Sequence, residues 1–166
     1  KIKSARCMRL AQDSREQNGL FELFPKIKGV EVVIQGLPVG DYTSFHEEQQ
    51  DQAVCERKSI SDLYTSFSSG YEAEKAKLLR AKELGLTYIL AIEATFSEVL
   101  KGHSYWKSGE VHESRKGGLA QIRQLCTWER KYGVQVWYCA SRREMAMRIM
   151  EYFLAGERYV AAQRSR

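Results

Sequence analysis

The stretch GDYTSFHEEQQDQAVCERKSISDL, residues 40–63, decides the fold because it predicts a β-hairpin that leads directly into a helix. Two segments of strand composition, DYTSF (41–45) and QAVCERK (52–58), flank the polar turn HEEQQD. A helix is predicted to begin at Ser59. Further along, TYILAIE (87–93) is a nearly continuous apolar run, which is typical of a strand covered on both faces. The hairpin is therefore predicted to belong to a larger sheet.

The predicted hairpin gathers charged side chains. Side chains two apart along a strand point the same way, so Glu56 and Lys58 share one face, and pairing of the strands brings Asp41 to it. Neighbouring carboxylates repel each other, and a hard divalent cation such as Mg²⁺ relieves that repulsion. The lysine would then orient or deprotonate a water, or stabilise charge on a phosphate. The alternative is an ordinary exposed ion pair between Glu56 and Lys58.

The rest of the chain alternates strands and helices. Strands are predicted at 6–12, 30–35 and 134–139, and helices at 20–27, 59–67, 71–85, 120–133 and 141–163. The helix 71–85 has Ala76, Leu79 and Leu84 as its apolar face, and Ser141 is the predicted N-cap of the last helix. The alternation predicts an α/β domain whose central sheet carries helices on both faces.

The composition is that of one globular domain spanning residues 1–166, with 43% hydrophobic and 28% charged residues. The formal net charge of +5 weakly favours polyanionic partners. Four cysteines without a C-x-x-C pair predict reduced thiols, and hence an intracellular protein, rather than a disulfide framework or a zinc site. No stretch approaches the ~20 apolar residues that a membrane span needs.

One motif is more specific than the group of charges. It reads G-D and then E-R-K-x-x-x-D, and its residues are Gly40, Asp41, Glu56, Arg57, Lys58 and Asp62. This motif resembles the nuclease motif of the XPF family of structure-specific DNA endonucleases. DSREQ (13–17) resembles the D-x-R-E element of that family, and RKYGVQVWYCASRREMA resembles its closing strand and helix. The resemblance extends over nearly the whole chain.

The resemblance implies a three-layer α/β/α, restriction-endonuclease-like fold with a central mixed sheet. It also implies hydrolysis of DNA phosphodiesters with Mg²⁺ or Mn²⁺. Carried over by position, Asp41 and Glu56 become metal ligands, with the backbone carbonyl of Arg57 as a further contact, and Lys58 becomes the catalytic lysine. Asp13 and Glu16 would lie at the rim of the site, Asp13 as an additional ligand.

Several residues keep two interpretations. Arg15 either holds Asp13 and Glu16 in place or contacts phosphate, and the side chain of Arg57 is a second candidate for DNA contact. Asp62 is either a catalytic acid or, three residues after Ser59, part of a helix cap, and the spacing favours the cap.

Two segments depart from the family pattern or extend it. Tyr71 stands where the family often has an arginine, and Glu72 beside it is a solvated charge or a further acid. The segment 101–118 is polar and glycine-punctuated, so it is predicted to be a loop. Its cations are candidates for DNA contact, with a solvated loop as the alternative: Lys101, His103, Lys107, Arg115 and Lys116.

The leading functional hypothesis is therefore a metal-dependent DNA endonuclease made of an XPF-type nuclease domain, without helix-hairpin-helix or helicase regions. Two alternatives are a catalytically inactive DNA-binding or scaffolding module and a nuclease that acts on RNA or hybrids. The complete set of Asp41, Glu56 and Lys58 argues against the inactive module. A homodimer formed through the last helix, or a partner protein that supplies further DNA-binding modules, completes the set of predicted partners.

Overall fold

The computed structural model describes residues 8–20, 23, 30–46, 49–114 and 117–164. The strands of the main sheet are β1 Met8–Asp13, β2 Val30–Gln35, β3 Tyr42–His46, β4 Gln49–Gln50, β5 Ala53–Ser59, β6 Thr87–Glu93 and β9 Gln135–Tyr138. A separate hairpin consists of β7 Ser104–Lys107 and β8 Glu110–Glu113. The helices are α1 Ile60–Ser66, α2 Tyr71–Glu83, α3 Phe96–Lys101, α4 Gly118–Tyr132 and α5 Arg142–Arg164.

The main sheet is mixed. Its strand order is β2-β1-β3-β5-β6-β9, and β4 pairs with β3. β3 lies antiparallel to both β1 and β5, whereas the β1–β2, β5–β6 and β6–β9 pairs are parallel. The α/β fold with a mixed central sheet, predicted through the family resemblance, is confirmed.

Helices cover both faces of the sheet because alternate residues of the central strands point to opposite sides. Cys55 and Ile89 belong to a core that α5 closes with Met145, Ile149 and Phe153. Val54 and Leu90 belong to a second core, which the other helices close, chiefly through Leu63, Leu78 and Trp128. Each fully buried aliphatic or aromatic side chain contributes about 1.5–3 kcal/mol to stability. The sheet is therefore held rigidly between two helical layers.

Most predicted elements are observed with small shifts of their ends. The first strand continues to Asp13, and the predicted residues 6 and 7 lie outside the described part of the chain. The predicted helix 20–27 also lies mostly outside it. The Ser141 hydroxyl caps α5 by accepting a hydrogen bond from the backbone N–H of Glu144 at 3.1 Å.

The loop predicted at 101–118 is wrong. After the end of α3, residues 104–113 form the β7–β8 hairpin, and Arg115 and Lys116 lie outside the described residues. Ser108 and Gly109 connect the strands with φ angles of 54° and 83°. Two consecutive left-handed residues are what the tight turn of a two-residue hairpin requires, and glycine adopts that conformation readily. The prediction failed because each strand is only four residues long, SYWK and EVHE, too short for an apolar alternation to mark it.

The apolar face predicted for α2 is wrong too. Leu79 and Leu84 are exposed, whereas the buried residues of this helix are Glu74, Leu78 and Ala81. A glutamate therefore lies on the side of α2 that packs against the sheet.

Two further sequence predictions concern thiols and membranes. Cys55, Cys126 and Cys139 are free, and Cys7 lies outside the described residues. Within the described ranges, no helix is long and apolar enough to span a membrane.

Candidate active site

Gly40 allows the backbone to place Asp41 beside the central strand β5. The backbone N–H of Asp41 donates to the carbonyl of Cys55 at 2.8 Å, and its Oδ2 accepts from the backbone N–H of Arg57 at 2.8 Å. Gly40 has a φ of 75°, and a Cβ there would lie 2.1 Å from Cγ2 of Val54. Only glycine allows the backbone at residue 40 to approach strand β5 this closely. The Gly-Asp pair of the motif therefore has a direct structural reason.

Asp41 and Glu56 line one open cleft of about 690 Å³. Burial, followed by the charge of Glu56, raises the pKa of Asp41 to about 8. The hydrogen bond from the backbone of Arg57 works in the opposite direction but does not outweigh them. The two carboxylates are thus close enough to repel, as expected for a pair that is built to share a cation.

Lys58 lies on the same side of β5 as Glu56. Its Nζ is 3.2 Å from Oε1 of Glu56 and 2.7 Å from Oε2 of Glu74. Lys77 of α2 is also paired with Oε1 of Glu56, and its Nζ lies 3.7 Å from Oε2 of Glu74. The carboxylates of Glu56 and Glu74 and the ammonium groups of Lys58 and Lys77 thus form a charge-balanced cluster.

Glu74 and Lys77 are site residues that the sequence did not predict. Both lie on α2, three residues apart, so they project from the same side of the helix toward β5. That i, i+3 spacing of a glutamate and a lysine was a usable signal, but it is also common on solvated helix faces. The incorrect apolar face assigned to α2 hid the fact that Glu74 is buried.

Asp13 is buried at the end of β1 and its carboxylate is heavily bonded. It accepts from the backbone N–H groups of Leu37 and Arg15, at 2.6 and 2.8 Å, and from the Arg15 guanidinium at 2.8 and 2.9 Å. Burial opposes ionisation, but the hydrogen bonds from Arg15 and Leu37 outweigh it and lower the pKa of Asp13. Arg15 thus holds Asp13, while its side chain is 71% exposed at the cleft. Ligation of a metal by Asp13 stays a prediction.

The side chain of Arg57 points away from Glu56 and is 6% exposed. Its guanidinium donates to Oε1 of Glu16 at 3.2 Å and to Oε2 of Glu93 at 3.0 Å. Arg142 of α5 lies 3.5 Å from the same Glu93 oxygen and also donates to the backbone carbonyls of residues 18 and 19. These contacts join the loop that carries Glu16 to β5, β6 and α5. DNA contact by Arg57 stays a prediction.

Ser59 is the N-cap of α1. Its Oγ accepts from the backbone N–H of Asp62 at 3.1 Å and donates to Oδ2 of Asp62 at 2.7 Å. Asp62 also lines the cleft, so the cap lies beside the two metal-ligand candidates. The side chain of Glu72 is 82% exposed, and Tyr71 packs near Trp128, with ring centroids 5.8 Å apart. Glu72 is thus a solvated charge.

Of the predicted DNA-contacting cations in segment 101–118, the structure describes the side chains of Lys101 and His103. Lys101 ends α3, and the ring of His103 lies 5.6 Å from that of Tyr64 of α1. Neither residue lines the cleft. The backbone of Lys107 belongs to β7, while its side chain lies outside the described part of the structure. Their contact with DNA stays a prediction.

The donor set of the cleft fits a hard cation that keeps most of its waters. Among the described residues, no group of three or more His, Cys, Asp or Glu side chains has the arrangement of a complete metal site. Asp41 and Glu56 supply two carboxylates, and Mg²⁺ is commonly held by one or two carboxylates with water and substrate phosphate. Burial and then the charge of Glu56 raise the pKa of Asp41, and a cation bound beside the two carboxylates would favour the ionised form of Asp41.

The stability of the metal-free protein should depend on pH through Asp41. Folded Asp41 keeps its proton up to about pH 8, whereas in the unfolded chain it ionises near its ordinary value of 3.8. Its contribution to stability is therefore complete below about pH 4 and is lost as the pH rises through 8. Asp41→Asn removes this titrating group. Between pH 5 and pH 8 the free energy of unfolding of the wild type should therefore fall more than that of the variant.

Urea unfolding in EDTA at both pH values measures the difference, with Glu72→Gln as the control for removal of an exposed charge. Identical pH dependence in wild type and Asp41→Asn would show that Asp41 is ionised in the folded protein throughout this range.

Similarity to solved structures defines the class of fold. XPF from Aeropyrum pernix aligns with a TM-score of 0.63 at 20% identity, over 95% of this chain and 69% of that one. XPF from Aeropyrum pernix in complex with DNA aligns with the same TM-score and identity, over 90% of this chain and 65% of that one. The fold is that of the restriction-endonuclease-like XPF nuclease domains.

The family follows from the sequence itself. The model of the family described as the ERCC4 domain matches residues 12–150. The chain belongs to the ERCC4 domain family, the family of the XPF nucleases, and the resemblance predicted from the motif is confirmed. Among curated proteins, no sequence matches this chain.

Proposed function

We propose that the protein is a metal-dependent DNA endonuclease that uses Mg²⁺ or Mn²⁺ to hydrolyse phosphodiester bonds. The observation that carries the proposal is the meeting of Asp41, Glu56 and Lys58 in one open cleft of a chain that belongs to the ERCC4 domain family. An inactive scaffold would have no use for a mutually repelling pair of acids of which one is buried and the other half-buried. The cost of holding the half-buried Asp41 beside Glu56 makes sense where the pair serves chemistry.

The residues of this chain would divide the work by position. Asp41 and Glu56 hold the cation, with the carbonyl of Arg57 as the third protein contact and Asp13 and Glu16 at the rim. Lys58 places an ammonium next to the reacting phosphate, where it stabilises charge that develops in the transition state. A bound Mg²⁺ or Mn²⁺ would polarise the phosphate and lower the pKa of a bound water. Arg15 reaches phosphate from the exposed rim while it holds Asp13.

The proposed substrate is branched, flap or junction DNA met in recombination, repair or phage DNA metabolism inside the cell. XPF from Aeropyrum pernix has been solved in complex with DNA, which supports DNA as the polymer. Cations near the hairpin, among them Lys101, would extend the contact to DNA outside the cleft. Homodimerisation or a partner protein would add further DNA contacts. RNA or hybrid cleavage is the second candidate activity, since the site chemistry acts on the phosphate alone.

The experiment is cleavage of end-labelled single-stranded, duplex, flap, fork and hybrid substrates and RNA with Mg²⁺, with Mn²⁺ and with EDTA. We expect metal-dependent internal cuts in DNA that Glu56→Gln abolishes, because the carboxylate pair then loses one charge. Glu72→Gln is the matched control, since it removes an exposed charge of the same kind. Cutting in EDTA, or undiminished cutting by Glu56→Gln, would contradict the proposal.

A further inference from the structure

Glu74 is a buried acid that the proposed function does not use. It lies in the first turns of α2 and is 3% exposed. Its two carboxylate oxygens have different partners: Oε1 accepts from the hydroxyl of Tyr88 at 3.0 Å, and Oε2 lies 2.7 Å from Nζ of Lys58. The carboxylate therefore joins the catalytic-lysine candidate to a fixed hydroxyl of the neighbouring strand β6.

The surroundings hold Glu74 firmly. Its backbone N–H bonds to the carbonyl of Gly70 at 3.0 Å, and the position near the N-terminus of α2 favours a negative charge. Tyr88, which donates to it, is itself 3% exposed and lies in β6 opposite Val54 of β5. Both ends of this contact thus rest on rigid elements of the core.

Lys58, in contrast, has a side chain that needs an external constraint. An ammonium on a flexible four-carbon stem takes its position from its partners. The nearer partner is Glu74, at 2.7 Å, and Glu56 is farther, at 3.2 Å. Without Glu74, the one carboxylate among the described residues still paired with the ammonium would be Glu56, the metal-ligand candidate itself.

The buried carboxylates of Glu56 and Glu74 need compensating positive charges. A buried carboxylate is costly unless it is paired and hydrogen-bonded. The two acids, Glu56 and Glu74, are balanced by Lys58 and by Lys77, which is also paired with Glu56. Glu74 therefore allows Lys58 to stay charged beside Glu56 without being drawn fully onto that carboxylate.

We propose that Glu74, oriented by the hydroxyl of Tyr88, is a positioning residue that fixes the ammonium of Lys58 at the distance from Glu56 needed for reaction at the phosphate. Glu74 touches neither DNA nor metal in this role and acts only through Lys58. The inference rests on the proposed nuclease function and adds two residues to its site.

The test compares Glu74→Gln, Lys58→Met and the double variant in single-turnover cleavage and in DNA binding. Glu74→Gln keeps the size of the side chain and an acceptor for Tyr88 but removes the charge. We expect the cleavage rate to fall about 10- to 100-fold while the affinity for DNA is unchanged, since a misplaced catalytic group costs rate rather than binding. In the Lys58→Met background, Glu74→Gln should have no further effect.

Glu72→Gln is the control, because it removes an exposed charge two residues away on the same helix. If Glu74→Gln does not fold, Tyr88→Phe is tested instead, since it removes only the hydroxyl. A lower cleavage rate in Tyr88→Phe supports the inference, and an unchanged cleavage rate overturns it. Wild-type rates in Glu74→Gln, or losses that multiply in the double variant, also overturn it while the nuclease assignment stands. A wild-type protein that cleaves no nucleic acid overturns the nuclease assignment, and the inference with it.

Discussion

Lys58→Met is expected to lower the rate of DNA cleavage by about 100- to 1,000-fold, the usual cost of losing one group that stabilises transition-state charge. The ammonium lies in the cleft, 3.2 Å from Oε1 of Glu56, and the residual 10% exposure of its side chain opens onto the same space. Methionine keeps most of the volume of the stem, so the loss should appear as rate. Single-turnover cleavage at saturating protein measures it directly.

The matched control for this prediction is Lys75→Met. Lys75 is another lysine of the same region, on α2, with a surface pair to Glu72 at 3.8 Å, and it does not line the cleft. Its removal should leave the rate unchanged. A Lys58→Met protein that cleaves at the wild-type rate would show that the acids act without the lysine, and it would remove Lys58 from the site.

The charged centre of the site could be predicted because strand geometry dictates it. Once residues 52–58 are a strand, the alternation of side chains places Glu56 and Lys58 together. The short antiparallel contact with β3 brings Asp41 alongside through the Cys55 carbonyl and the Arg57 amide. A local rule and one strand pairing predicted that the three side chains lie together, whereas the choice between an active site and an ordinary ion pair rested on the motif.

The outer part of the site could not be predicted, because it depends on contacts between distant elements. Glu74 meets Lys58 only when α2 packs across β5, and the sequence of α2 offers two partly apolar faces. The structure buries the face that carries Leu78 and Ala81, and Glu74 goes with it. Its partner Tyr88 looks like an ordinary core aromatic in the apolar run of β6.

The fold was predictable where apolar periodicity is strong and unpredictable where the elements are too short to show it. α5 buries Met145, Ile149 and Phe153 at helical spacing, as the sequence indicates. The four-residue strands of the β7–β8 hairpin are too short to show such a periodicity, and the local signal for the hairpin was the Ser108-Gly109 turn. α3 was also missed, although Thr95 and Glu98 form a complete capping box at its start.

Arg57→Met should destabilise the protein by about 3–5 kcal/mol, the cost of removing one partner from a buried ion pair. Glu16 and Glu93 have side chains only 9% and 19% exposed, and both take hydrogen bonds from the Arg57 guanidinium. In the variant, Glu93 keeps its ion pair with Arg142 at 3.5 Å, so most of the lost stabilisation concerns the carboxylate of Glu16. A loss of this size is a large share of the 5–15 kcal/mol by which native proteins are stable. Urea unfolding of the metal-free protein measures it.

Two further variants separate a structural Arg57 from one that contacts DNA. Arg80→Met removes a guanidinium that is 57% exposed and pairs on the surface with Glu83 at 3.6 Å, so it should cost no more than about 1 kcal/mol. Adding Glu16→Gln to Arg57→Met should recover part of the stability, because one buried carboxylate no longer lacks its partner. If Arg57 instead contacts phosphate, Arg57→Met should leave stability unchanged and weaken DNA binding. The slope of log K against log salt concentration should then also become shallower by about one. Because the guanidinium is nearly closed off from solvent between two acids, we expect the loss of stability.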